Sequence, residues 1–295
     1  MVYRVTFATM IIRYPLTACL LGCLLFNNLQ AQDNSDRSIN LYHNEANDTV
    51  VVLADTAYIR SLPAKNGQKL HLVTAGTRLV FLQQEESQKI SGFSAPWARV
   101  RYINNGVAGE GYIWKGLLAL GSYKRNQLQF LYGLDHSLPD KDKEMPGTWY
   151  ARVKALDSSN KVLDSKTWQL ASGEALSFTE GKVLGGMGLD SLQAIVRVYF
   201  SGEACAIPDD YYYFGWNGTH LLSLPGKTDI SDAGVFHHTE MLLFPSEKGG
   251  QPGKIIKLIE DEEVLDEVDK QGKERTKTTR SRATYSWDGK TAIKL

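Results

Sequence analysis

From Thr49 onward the chain is written as short β-rich runs separated by turn signals, and this punctuation restricts the fold more than any other feature. The runs are Val50-Val51-Val52-Leu53, Tyr58-Ile59-Arg60, Leu70-His71-Leu72-Val73, Arg78-Leu79-Val80-Phe81-Leu82, Trp97 to Tyr102 and Gly111-Tyr112-Ile113-Trp114. Five or six such strands within about 70 residues predict a small barrel, because strands this short bury a core only by curling around it. The remainder is strand-like as well. Thr148 to Val153 runs into the turn cluster Asp157-Ser158-Ser159-Asn160, Lys161-Val162-Leu163 follows, and Gln193 to Phe200 alternates with Ala194, Val196 and Val198 on one face. The expected fold class is all-β, a small barrel followed by a larger antiparallel β domain. With 43% hydrophobic and 22% charged residues the chain has apolar material for such cores, which excludes a disordered or collagen-like polymer.

The first 31 residues read as an export signal. Arg4 and Arg13 precede the apolar run Leu16 to Phe26, and small Ala31 suits cleavage before Gln32. Arg13 and Pro15 interrupt the run, which is too short for a spanning helix of roughly 20 residues. No later segment qualifies either. A lipid anchor is the alternative, since Leu16-Thr17-Ala18-Cys19 and Leu20-Leu21-Gly22-Cys23 both resemble a lipobox. The expected location is periplasmic or extracellular. Cleavage at Ala31 leaves Cys205 as the one cysteine, so no disulfide forms within the chain and the fold holds by packing. It also removes two arginines and no acid, which leaves a slightly acidic protein with no global pull toward nucleic acid or anionic lipid. Residues 32–48 read as a flexible leader, 49–121 as the barrel and 127–295 as the β-rich domain.

Within the second unit, Phe214-Gly215-Trp216-Asn217-Gly218 is echoed by Tyr285-Ser286-Trp287-Asp288-Gly289, and Asn-Gly and Asp-Gly predict two type I′ hairpins. Tyr211 to Trp216 places rings on both faces of its strand; one face enters the core, and the other is either covered by a second layer or open to a ligand. The acidic stretch Glu260 to Asp269 and the basic stretch Lys270 to Arg282, turned at Gly272, predict an antiparallel pair with opposite charges across the ladder.

Catalytic chemistry is hard to find in these residues. Glu203-Ala204-Cys205-Ala206 lacks the surroundings of a peptidase nucleophile, no spacing selects His220, His237 or His238 as its base, and Cys205 reads as a buried inert thiol. Adjacent His237 and His238 on a strand point to opposite faces and cannot share a metal with Glu240. Gly226-Lys227-Thr228 copies the tail of a phosphate loop without its first glycine and reads as a turn, and Asp209-Asp210 read as loop solvation. No cofactor is expected.

The order of the first six runs carries a resemblance. Tyr58-Ile59-Arg60-Ser61-Leu62-Pro63, Ala75-Gly76-Thr77 before Leu79-Val80, Trp97-Ala98-Arg99-Val100 and the closing Gly111-Tyr112-Ile113-Trp114 resemble, in sequence, the landmarks of bacterial SH3-like domains. The resemblance covers Thr49 to Leu120. It departs at Leu62, where glycine is usual, and at Gln83 to Pro96, an insertion that is either a ligand contact or a decorated turn. The second unit resembles only loosely the blade-type β-repeats of exported bacterial proteins. The family implies a small SH3-like barrel and a non-catalytic binding protein that contacts cell-envelope peptide or glycan. The alternatives are a cell-wall hydrolase with its active site in the second unit, and a scaffold docking another envelope protein. Tyr58, Arg60, Trp97, Arg99, Tyr112 and Trp114 are the candidate groove for an extended ligand; against it stands the reading that Trp97 and Trp114 close the barrel.

Overall fold

Each of the six runs is a strand in the computed structural model, which describes residues 41–140, 147–268, 270–272 and 274–295. The expected export signal and the leader up to residue 40 lie outside the described residues. The strands are β1 (Thr49–Val51), β2 (Thr56–Arg60), β3 (Lys69–Thr74), β4 (Arg78–Ile90), β5 (Phe93–Asn104) and β6 (Val107–Trp114). They pair in the order β1-β4-β5-β6-β2-β3 and curl into a half-barrel around Val52, Ile59, Leu79, Val100 and Ile113. A central sheet follows, β7 (Gly121–Arg125), β8 (Leu128–Leu138), β9 (Thr148–Leu156) and β10 (Val162–Leu170), each strand beside the next. The last eight strands form one long meander: β11 (Phe178–Leu184), β12 (Ala194–Ser201), β13 (Asp209–Trp216), β14 (Leu221–Asp232), β15 (Phe236–Leu243), β16 (Lys254–Val268), β17 (Glu274–Trp287) and β18 (Ala292–Lys294). Every sheet is antiparallel and the protein is all-β, as the punctuation of the sequence requires; among the described residues no helix is long and apolar enough to cross a membrane.

Layering follows from alternation on strands covered on both sides. On β8, Phe130, Tyr132 and Leu134 meet Val196, Phe200, Phe214 and Trp216 of the long meander, while Leu131 turns the other way onto Val51 and Leu53 of the half-barrel. Strand β13 is covered twice in the same manner. Phe214 and Trp216 join the large core, and Tyr213 joins a further core with Leu224, Leu242, Ile255 and Trp287. The second packed layer is therefore the one realised for the aromatic run. That layer exists because β14 changes partner, pairing with β13 up to Asp229 and with β15 only from Ile230 to Asp232, so the sheet folds back over the inner residues.

The insertion at residues 83–96 is a decorated turn of the half-barrel. It extends β4 and β5 into a hairpin arm closed by Ser91 and Gly92, with φ of 55° and 91°, the two positive values of a type I′ turn. The arm docks on the central sheet. Phe93 packs on Trp114 and Trp149 with ring centroids 4.8 and 5.4 Å away, and Ser137 N–H donates to Ser91 O at 2.9 Å. Gly92 lies so close that a Cβ there would stand 1.8 Å from Ser137 O.

Two expectations change here. The leader is packed from Leu41: Leu41 and Tyr42 are buried in the large core, because an apolar pair beside the arm removes surface from water at both ends. The echoed Asn-Gly and Asp-Gly turns are not type I′, since only Gly218 and Gly289 have positive φ. Both are four-residue loops organised by the first side chain. Asn217 Oδ1 accepts the N–H groups of Thr219 and His220, and Asp288 Oδ1 accepts those of Lys290 and Thr291.

Among the described residues two lysines are fully buried. Lys154 ion-pairs Asp55 at 2.6 Å across the boundary between central sheet and half-barrel; burial pushes its ammonium down and Asp55 opposes the shift. Lys115, in the 3-10 turn Lys115–Leu117, faces no carboxylate among the described residues. Its Nζ donates to Tyr42 O at 3.1 Å and Gln84 Oε1 at 2.9 Å and lies 4.6 Å from the Phe81 ring centroid, so burial pushes its pKa down to about 8.

The folded chain thus releases this proton near pH 8 and the unfolded chain near 10.5. Between those values the unfolded state binds more protons, and stability rises with pH by about 3 kcal/mol. Urea unfolding from pH 7.5 to 10 shows this rise in the wild type relative to Lys115→Met, in which it is absent. Gly92→Ala lowers the unfolding free energy by about 1–3 kcal/mol more than Gly106→Ala. Gly106 shares the positive φ, but a Cβ there meets nothing within 4 Å, so the difference in urea denaturation isolates the clash with Ser137.

Candidate functional site

The outer surface of the half-barrel is set by the residues that alternate with its core. Ala57 and Ile59 of β2 point inward, so Tyr58 and Arg60 point out. Arg60 is the cross-strand partner of Tyr112 on β6, and Tyr112 is the partner of Arg99 on β5, which makes a row Arg60–Tyr112–Arg99 over three strands. Each member is held. Arg60 Nη1 donates to Gly67 O at 2.9 Å, tying down the loop after β2. Arg99 and Arg101 grip Glu110 at 2.8 and 3.1 Å, and hydrogen bonds from Arg101 and then Arg99 hold that carboxyl below the usual carboxylate range. Tyr58 sits opposite Leu72 of β3, with Lys69 Nζ 4.2 Å from its ring centroid.

Beyond Tyr58 the sheet ends. Strand β3 is its last strand, and Leu70 and Leu72 are exposed there. The N–H and C=O of Thr74 are used on Thr77 in the turn rather than on β2, so by alternation the main-chain groups of Leu72 face the open side. The surface therefore joins a strand edge that no described residue pairs with, two apolar side chains, two tyrosines and two fixed guanidinium groups.

Trp97 and Trp114 are not part of that surface, and the candidate groove divides. They are cross-strand partners, 3% and 1% exposed, packed in the large core between half-barrel and central sheet. Nor do they close the barrel, whose own core is formed by Ala98, Val100 and Ile113 on the opposite face. Trp114 Nε1 donates to Ala95 O at 2.8 Å and Gln88 O at 3.0 Å, and Trp97 Nε1 to Gln88 Oε1 at 3.1 Å. One face of β5 carries Phe93, Ala95, Trp97, Arg99 and Arg101, and its apolar half ends where the covering sheet ends.

Other residues also take different places from those expected. Cys205 is exposed, not buried, on an open cleft of about 480 Å³ shared with Glu203, Asp209, Asp229 and His237. His237 Nε2 is engaged with Thr239 Oγ1 at 2.6 Å, whereas His238 Nδ1 meets Asp261 Oδ1 at 2.6 Å on the other face of β15. Among the described residues no group of three His, Cys, Asp or Glu is arranged for a metal ion. Gly226, Lys227 and Thr228 lie within β14 rather than in a turn. Asp210 is buried, not solvating a loop. It accepts hydrogen bonds from Ser172 Oγ at 3.1 Å and Thr228 Oγ1 at 2.8 Å, while burial pushes its carboxyl up. With Glu240, which takes Thr228 N–H at 2.8 Å and Lys257 Nζ at 2.6 Å, Asp210 staples the fork where β14 leaves β13.

A polar cleft of about 500 Å³ at the meeting of three turns was not foreseen from the sequence. Arg78, Lys124, Asn126, Gln127 and Asn160 line it, with Gly76, Asn126 and Asn160 in positive-φ turns. The only local signal was the pair of Asn-containing turns, which carry no ligand chemistry by themselves. No protein-family model, curated protein or solved structure matches this chain, so its own surface carries the functional reading.

Proposed function

We propose that this is a non-catalytic exported protein whose SH3-like half-barrel binds an extended peptide of the cell envelope. The observation that carries the reading is the open edge of β3, with Leu70 and Leu72 exposed on it, beside Tyr58 and the Arg60–Tyr112–Arg99 row. An extended peptide satisfies the unpaired main chain at such an edge, and alternate side chains find the apolar positions and the tyrosine. The two guanidinium groups favour a carboxylate, which the stem peptides of an envelope supply. The export signal expected before residue 32 agrees with that partner. A glycan reading is favoured by one feature, the amide-lined cleft with Arg78 and Lys124, whose donors suit sugar hydroxyls and carboxylates.

Calorimetric titration with soluble peptide and glycan fragments of the envelope separates the two. Tyr58→Ala with Leu72→Asp weakens peptide binding at least tenfold, about 1.4 kcal/mol or more, with the fold kept. Unchanged binding by the folded double variant refutes the half-barrel reading. Glycan binding lost only in Arg78→Ala with Lys124→Ala moves the function to the cleft.

A further inference from the structure

The long meander ends in a ribbon that, among the described residues, no second layer covers. All residues from Glu274 to Arg282 of β17 are exposed, and β16 pairs with them on one side only. On the other side β18 covers Tyr285 to Trp287, and Leu295 N–H reaches Thr284 O at 2.9 Å; beyond that, among the described residues, the edge is open. Because the main chain of Thr284 faces outward and the register runs without a shift to Thr276, the outward N–H and C=O groups belong to Thr276, Thr278, Arg280 and Arg282. This edge has no proline and no bulge over that span.

Its charge is one-sided. On β17 itself Arg275, Lys277, Arg280 and Arg282 stand against the single acid Glu274, while six acids from Glu260 to Glu267 lie on the inner strand β16. Glu267 holds Arg275 at 3.0 Å and Glu260 holds Arg280 at 2.6 Å, and Lys277 stands opposite Glu263. Arg282 has no acid opposite: it closes a row with Leu258 and Met241, both exposed, beside an apolar cleft of about 420 Å³ on the same face.

We infer that the open edge of β17 receives an acidic, extended segment of a partner protein, which adds a strand to the ribbon. A strand laid there satisfies four residues of unpaired main chain, and its acidic side chains meet Arg275 and Lys277 on one face of the ribbon or Arg280 and Arg282 on the other. Neither of the two open edges described above suits pairing between two copies of this chain. Two β17 edges bring like charges together, and the other open edge described above, β3, carries Lys69 and His71 and no acid. The basic side chains thus reject the pairing of two β17 edges and select an acidic strand with the same residues. The site is separate from the half-barrel.

The test uses the full chain and two synthetic heptapeptides, one alternating glutamate with valine and one alternating lysine with valine, followed by calorimetry at low salt. The glutamate peptide binds and the lysine peptide does not. Thr278→Pro removes one outward N–H without touching the β16 ladder, and it weakens binding at least tenfold; Arg282→Glu does the same, and keeps the test decisive if the proline variant does not fold. Leu72→Asp leaves this binding unchanged, which separates it from the half-barrel surface. No binding of the glutamate peptide, equal binding of both peptides, or full binding by a folded Thr278→Pro overturns the inference. So does single-stranded DNA binding more tightly than the peptide and equally well to Thr278→Pro, which makes the ribbon a phosphate-backbone contact.

Discussion

The indole N–H of Trp114 is shared between two carbonyls of the β4–β5 arm, and much of the architecture depends on that contact. It holds Ala95 and Gln88 at the place where the arm leaves the half-barrel, with Trp97 directly across the ladder. Large aromatic side chains gain most from burial when their polar atom is also satisfied, and here the satisfying groups belong to the arm itself. The arm brings Phe93 onto Trp149, and through it half-barrel and central sheet share one core. The unpaired ammonium of Lys115 beneath the arm is a cost of that arrangement, offset by two neutral acceptors and the face of Phe81.

Much of the architecture was legible because a period of two is a strong signal in short strands. The six opening strands, the alternation of Ala194, Val196 and Val198, and the acidic-basic pairing of β16 with β17 all follow from side chains that must choose one of two faces. What alternation cannot reveal is how many layers a strand touches. On β5 the positions of Phe93, Ala95 and Trp97 and those of Ala98 and Val100 lie on opposite faces, and both are buried. A periodicity argument assigns one of these faces to solvent. For the same reason Leu41 and Tyr42 gave no sign of order: a two-residue apolar patch has no period, and its partners lie far along the chain.

The candidate surface shows the same division. Tyr58, Arg60, Arg99 and Tyr112 could be grouped because strand pairing within a small barrel places Arg60, Tyr112 and Arg99 in one row, with Tyr58 two residues along β2 on the same face. Trp97 and Trp114 shared that face in the alternation but not its exposure, which depends on a sheet formed by later residues. Asp210 and Cys205 exchanged their expected environments because the fork between β13 and β14 is set by a change of partner along β14, a tertiary event without a local motif.

The twin loops after Trp216 and Trp287 tie the durability of the core to the covalent chemistry of its surface. In each loop one oxygen of Asn217 or Asp288 gathers the following N–H groups, and the preceding tryptophan is anchored by that turn in a packed core. Asparagine followed by glycine is the sequence at which succinimide closure is least hindered. Hydrolysis of that ring to aspartate leaves Asn217 resembling its counterpart Asp288, with the accepting oxygen in place. Hydrolysis to the isoaspartyl form instead routes the main chain through an extra methylene and lengthens the link between Trp216 and Leu221, which face each other across the ladder. Of the Asn-Gly pairs in the chain, this is the one whose ageing would be recorded in the seating of a buried tryptophan, Trp216.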